Sequence, residues 1–280
     1  MYDYDVVCIG GGPGGSATAM RCADRGKKVC LIEARTRNGS GGTCVNRGCI
    51  PTKALMASAN LYASIKEAKN FGINVDMSAV SVDFKAIDKR KNQVINGLGF
   101  GLEAMLWKKS RGITVIKGRA KLVDAHTIEV DNGKTVKTVT AENIVVAVGS
   151  EPAEIPAFNV DHKKIITSNE IMDFSRPMPK SIVIIGSGAI GLEYGHIYNI
   201  YGVDVTIVEM MPNLVPALHD TEITDAVKAS LEKRGIKVKC GSGIAGVEVQ
   251  EDGRVKSTLA NGEELYSAVQ EAIDAAKAIG

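Results

Sequence analysis

The chain sets short apolar runs between glycine clusters and helical patterns, and it does so twice in the same order. Asp5–Ile9 is an apolar run rich in β-branched residues. A glycine cluster follows, then apolar positions at Ala17, Met20 and Ala23 with helical spacing, ending at Gly26. A second apolar run, Val29–Ile32, closes at Glu33. Short β-branched runs bounded by glycine predict strands, so this stretch predicts a strand–turn–helix–strand unit. Ser181–Ile185 opens a second unit of the same kind, which ends at Val208-Glu209. Between the two, helical spacing predicts helices over Pro51–Asn70 and Phe84–Lys108. From Gly112 to Val148 strand-like runs alternate with turn signals such as Asp131-Asn132-Gly133, predicting a β-meander that returns to a strand at Asn143–Val148. Proline-bearing stretches at Glu151–Pro156 and Ser175–Pro179 mark a boundary between two halves.

The repeat is exact in its spacing-bearing residues. Gly186, Gly188 and Gly191 each lie 176 positions after Gly10, Gly12 and Gly15, and Glu209 lies 176 after Glu33. In a G-x-G-x-x-G turn between strand and helix, the first glycine makes the tight turn. The second lets a pyrophosphate reach the backbone, and the third lets helix and strand pack closely. The phosphates then lie at the positive end of the helix. An acid about 20 residues on accepts a hydrogen bond from a ribose hydroxyl. Glu209 would repel a 2′-phosphate, and the neighbouring Met210 and Met211 are neutral, which points to NAD rather than NADP. One glycine turn alone also suits a doubly wound domain that binds no nucleotide; two in register make that the weaker reading. The expected fold is α/β, with two tandem Rossmann-like dinucleotide-binding domains, the first with an inserted β-meander. Their expected spans are residues 1–150 and 151–266, the second incomplete. In 267–280, Val269, Ala272, Ile273, Ala276 and Ile279 fall at helical spacing, predicting an amphipathic helix.

Composition narrows the function classes. Glycine is 30 of 280 residues, above the usual ~7%. Net charge is +2, which gives no case for nucleic acid or an anionic membrane. No apolar stretch approaches the ~20 residues of a membrane span, and the N-terminus lacks a signal-peptide pattern, so the expected location is cytoplasmic; a mature organellar protein would read the same. Six cysteines are not arranged as a secreted disulfide framework. Cys44 and Cys49 stand apart from the rest, separated by Val45-Asn46-Arg47-Gly48. On a regular helix they would be ~7.5 Å apart along the axis, whereas a disulfide wants Cα atoms about 4.4–6.8 Å apart. A bridge therefore needs irregular backbone, which Gly48 can supply, with Pro51 suited to a helix first turn. A bridge beside a helix start should have a lowered thiol pKa and exchange readily. Two free structural cysteines are the alternative; a metal site is the other, with no histidine nearby and none expected.

Gly41-Gly42-Thr43-Cys44-Val45-Asn46-Arg47-Gly48-Cys49-Ile50-Pro51-Thr52-Lys53 resembles the redox signature of the flavoprotein disulfide reductases, and Ile50-Pro51-Thr52-Lys53 looks most like their dihydrolipoamide dehydrogenase branch. The resemblance covers about residues 1–266. It implies FAD on Gly10, Gly12 and Gly15, with Glu33 on its ribose, Thr43 and Lys53 near the flavin, and Gly118 and Gly149 as further flavin-nucleotide contacts. It implies NAD on Gly186, Gly188, Gly191 and Glu209. Cys44 would exchange with dihydrolipoamide, or with a lipoyl domain of a 2-oxo acid dehydrogenase or glycine cleavage system. Cys49 would contact the flavin, and Glu193 would pair with Lys53.

Some positions depart from the pattern. Thr52 replaces a serine, Val148 stands where the family has threonine, and the loop Thr36–Ser40 is longer. Family members also continue beyond this length into a segment that closes over the flavin and a domain that carries the homodimer interface and a histidine–glutamate base. Lacking these, the chain is expected either to retain the whole relay, to keep only a diaphorase-like activity, or to be catalytically impaired. Trp107 is expected to pack in the interior.

Overall fold

The computed structural model describes residues 1–34 and 40–267. Most of the loop Thr36–Ser40 and the helix expected over 267–280 lie outside the described residues. By its internal contacts the chain divides into two units. The first comprises Met1–Pro51 and Lys89–Glu151; the second comprises Thr52–Asp88 and the chain from Pro152 onward.

The first unit is built on β1 (Tyr4–Ile9), α1 (Pro13–Ala23) and β2 (Val29–Glu33), followed along the chain by α2 (Gly42–Arg47), by α3 (Cys49–Glu67), which belongs to the second unit from Thr52 on, and by α4 (Phe84–Leu106), which belongs to the first from Lys89 on. β3 (Thr114–Lys117), β4 (Arg119–Leu122), β5 (Thr127–Asp131) and β6 (Val136–Val146) complete a six-stranded sheet of order β3-β2-β1-β6-β5-β4. β3, β2, β1 and β6 run parallel, while β4, β5 and β6 form an antiparallel meander. β6 spans both, so the return strand expected at Asn143–Val148 is the far end of an 11-residue strand.

The apolar runs carry no polar alternation because both faces of this sheet are covered. Val6, Cys8, Val29 and Leu31 point to a cluster with Ala19 of α1 and Leu106 of α4. Their neighbours Val7, Ile9, Cys30 and Ile32 point the other way, onto Ile128, Val130 and Val139 of the meander. Trp107 departs from its expected burial: it is more than half exposed, with the Lys117 ammonium over its ring.

The second unit holds a parallel sheet of β7 (Ser181–Ile185), β8 (Asp204–Glu209) and β9 (Lys237–Cys240), in that order. α5 (Ala189–Ile200) joins β7 to β8, and α6 (Thr221–Lys233) leads into β9, with Asp220 capping α6 through the Ile223 N–H. β10 (Ile244–Val249), β11 (Val255–Leu259) and β12 (Glu264–Ser267) form a separate antiparallel meander. Leu55 and Ala59 of α3 pack with Ile197 and Ile200 of α5 and with Val205 and Ile207 of β8. Buried Phe174 sets its ring edge-on to Phe84, Tyr198 and Tyr201. Among the described residues no helix is long and apolar enough to cross a membrane.

Candidate cofactor and redox sites

In the first unit, β1 ends one residue before Gly10, whose φ of 103° favours glycine. A Cβ on Gly10 would lie 2.2 Å from the Ala147 carbonyl oxygen, and one on Gly15 would lie 1.9 Å from that of Gly10. Gly12 caps α1, with Pro13 beginning the helix. A Cβ on Gly12 would meet only the Gly42 Cα, at 3.6 Å. The Gly41 N–H donates to the Gly11 carbonyl at 2.8 Å, joining the loop to the segment that carries the cysteines. Buried Glu33 accepts from the Gly11 N–H at 2.7 Å, so this acid holds the glycine loop itself. On that joined segment the buried Ser40 hydroxyl and Asn46 Oδ1 have no hydrogen-bond partner among the described residues. Open backbone at a helix N-terminus beside unsatisfied buried polar atoms suits a phosphate-bearing, hydrogen-bonding group. Gly118 donates to the Glu33 carbonyl at 2.9 Å, and a side chain there would strike Val130 and Asp131, so packing also requires glycine. Gly149 has φ 75° and open space around it, and Thr43 is exposed on α2.

The second unit repeats the loop. Gly186 has φ 98°, and a Cβ on Gly191 would lie 2.2 Å from the Gly186 carbonyl oxygen. Gly188 caps α5. A Cβ on Gly186 or Gly188 meets nothing within 4 Å, and a cavity of about 950 Å³ opens here, lined also by Ile182, Ile185 and Ile190. Buried Glu209 accepts from the Ser187 N–H at 2.9 Å, the Ser187 hydroxyl at 2.7 Å and the Met211 N–H at 3.0 Å. The Ser187 hydroxyl in turn accepts from the Val215 N–H at 3.0 Å. Sequence reasoning missed Ser187; its one signal was that it lies 176 residues after Gly11, the residue that holds Glu33.

Burial raises the pKa of Glu209, but the donors from Met211, Ser187 and Met210 outweigh it and hold the carboxyl below the ordinary 4.5. Glu209→Ala is expected to cost about 1–3 kcal/mol at neutral pH, read by urea unfolding. The folded pKa is lowered, so this stabilisation is present above the ordinary value and lost as pH falls through the folded one. The gap between the two chains should close in acid; a gap independent of pH would show that the charge is not what holds the loop.

Cys44 lies on the six-residue α2, and Cys49 begins α3. Gly48, with φ −138° and ψ −104°, breaks the helix between them. Both are thiols here, Cys44 half-buried and Cys49 exposed. The expected lowering of the thiol pKa is corrected for Cys44 in this reduced pair. Burial, then the hydrogen bond and proximity of the Cys49 sulfur, push it up to about 11. Arg47, between the two cysteines, forms a two-pronged ion pair with Glu151, both contacts 2.7 Å, which sequence reasoning did not identify.

Lys53 and Glu193 lie in the second unit and form an ion pair. Beside it, the buried Thr52 hydroxyl donates to the Tyr194 hydroxyl at 3.1 Å. Among the described residues no group of three or more His, Cys, Asp or Glu side chains is placed to hold a metal.

Residues 4–276 match the family model described as pyridine nucleotide-disulphide oxidoreductase. The chain belongs to that family. Relatives within the pyridine nucleotide-disulphide oxidoreductases include a dihydrolipoyl dehydrogenase of Chlorobaculum parvum, 41% identical over 93% of this chain and 54% of that protein. The mitochondrial dihydrolipoyl dehydrogenase of Pisum sativum is 40% identical over 92% of this chain and 50% of its own. Among solved structures, LpdA from Mycobacterium tuberculosis superposes with a TM-score of 0.81 at 25% identity, covering 94% of this chain and 56% of that one. The chain thus spans about half the length of the family members it matches.

Proposed function

We propose that this chain binds FAD on the first glycine loop and NAD on the second, and works as a dihydrolipoyl dehydrogenase-type disulfide oxidoreductase. The FAD-binding part corresponds to residues 1–150 and the NAD-binding part to 151–266. The observation that carries the reading is a thiol pair on a helix broken at Gly48, joined by the Gly41–Gly11 hydrogen bond to a glycine loop whose geometry recurs 176 residues later. Relatives named dihydrolipoyl dehydrogenase supply the substrate class, a dithiol of the lipoyl type on a partner protein.

In the oxidised pair, a substrate thiolate attacks the Cys44 sulfur. A mixed disulfide forms and Cys49 leaves as a thiolate. The second substrate thiol then displaces Cys44, releasing the substrate disulfide and two reduced cysteines. Flavin, when bound, supplies the two-electron exchange between thiols and nicotinamide. Gly12 and Gly188 leave backbone open to pyrophosphates, Glu33 and Glu209 hold the two loops in shape, and each acid is positioned for a ribose hydroxyl. Glu209 favours NAD over a 2′-phosphorylated nucleotide. Lys53, by its match to the family, stands beside the flavin with Glu193 as its counter-ion.

The test is a visible spectrum of the purified chain with FAD, before and after anaerobic NADH. A bound flavin band that bleaches, or gives way to a long-wavelength thiolate–flavin band, supports the relay. A chain that takes up no FAD overturns it. Bleaching with no turnover of lipoamide would limit the activity to NADH-dependent reduction of artificial acceptors.

A further inference from the structure

The two glycine loops share their spacing but hold their acids differently. In the first, a Cβ on Gly11 would lie 2.6 Å from Glu33 Oε2, so no side chain fits between the turn and the acid. In the second, Ser187 stands at the equivalent position, fully buried. Glu209 Oε2 accepts from the Ser187 N–H at 2.9 Å and from the Ser187 hydroxyl at 2.7 Å. Oε1 accepts from the Met211 N–H at 3.0 Å, and the Met210 N–H also donates to the carboxylate. An ionised carboxylate has about four acceptor sites, and these four donors fill them. A ribose hydroxyl that is to donate to Glu209 must therefore displace one of them. Three are backbone N–H groups, fixed by the path of the chain. The fourth is the Ser187 hydroxyl, whose proton turns about a single bond.

That hydroxyl is also held from behind. The Val215 N–H donates to its oxygen at 3.0 Å, from a backbone with φ 49°, a left-handed value rare for a β-branched residue. The segment that supplies this N–H has other anchors. Leu214 and Val215 pack with the core of the second unit, and the Val215 carbonyl accepts from the Leu218 N–H at 2.8 Å. Removing the Ser187 hydroxyl should thus leave the segment in place.

We infer that the Ser187 hydroxyl competes with the ribose for Glu209, occupying the acceptor site that a ribose hydroxyl needs and so setting the affinity of the second loop for its nucleotide. The inference rests on the NAD reading of that loop proposed above. Its test is calorimetric titration of the full chain, in excess FAD, with oxidised NAD and with the analogue of NAD that lacks the adenosine 2′-hydroxyl.

Ser187→Ala should bind NAD about three- to tenfold more tightly than the native chain. For the deoxy analogue, which has no 2′-hydroxyl to take the site, the two chains should differ by less than about twofold. Ser187→Gly, which places the residue of the first loop here, should gain NAD affinity in the same direction. Equal NAD affinity in native and variant chains would overturn the inference. Weaker binding by Ser187→Ala would do so too, because the hydroxyl would then be donating to the ribose. A gain that the deoxy analogue shows in full would assign the effect to the loop and not to the ribose, and would also overturn it. A native chain and variants that all fail to bind NAD would sink the NAD reading and the inference together, whereas equal binding removes the inference alone.

Discussion

Gly15→Ala is expected to lose about 3 kcal/mol or more of stability, and its flavin with it. The added methyl would lie 1.9 Å from the Gly10 carbonyl oxygen, and the obstacle is backbone that cannot swing aside. Gly10 is itself pinned, at φ 103° with the Ala147 carbonyl behind it. For a chain of this size the loss corresponds to a fall in Tm of roughly 10 °C by differential scanning fluorimetry. Gly12→Ala supplies the contrast. Its φ is −71°, and its methyl would meet only the Gly42 Cα at an ordinary 3.6 Å. Its Tm should fall by only about 1–4 °C, since exchanging a capping glycine for alanine costs about 0.5–1 kcal/mol, while FAD affinity should fall by about tenfold or more because the methyl occupies the pyrophosphate approach. Gly12→Ala that holds FAD as tightly as the native chain would remove this loop from the flavin site.

Cys44→Ser in the FAD-loaded chain is expected to lower NADH-linked reduction of lipoamide by about a thousandfold or more. A serine hydroxyl neither ionises in the working range nor forms the mixed disulfide, so the exchange step has no substitute. Bleaching of the flavin by NADH should be nearly unchanged, because that half of the relay uses neither cysteine. Stopped-flow bleaching and steady-state lipoamide assays on the same preparation separate the two. Equal loss of both would assign Cys44 a structural part, and equal retention would place dithiol chemistry elsewhere.

Much of the fold was legible because its signals are local. Runs such as Val29–Ile32 read as strands buried on both faces, and Cys30 and Leu31 indeed point to opposite clusters. The glycine spacing read correctly as turn and close packing, since a Cβ on Gly15 or Gly191 would strike the carbonyl at the head of its own loop. Residues 52–67 were another matter. Their helical pattern was clear, but Leu55 and Ala59 pack in the second unit, and no local pattern says which sheet an apolar helix face will cover. The thiol of Cys44 was misjudged for a related reason: proximity to a helix start is visible in sequence, while the burial and the Cys49 hydrogen bond that raise its pKa are not.

The amino-acid sequence by itself determined the two strand–turn–helix–strand units, their 176-residue offset and the Cys44–Cys49 spacing, because glycine, β-branched residues and cysteine act over a few neighbouring positions. Only the tertiary structure decided which donors hold the acids, Gly11 on Glu33 and Ser187 on Glu209, and which side chains tie distant segments, Arg47 to Glu151 and Thr52 to Tyr194. Those partners lie 22 to 142 residues apart, and a hydrogen bond or ion pair over such a distance exists only once packing has brought both ends within about 3 Å.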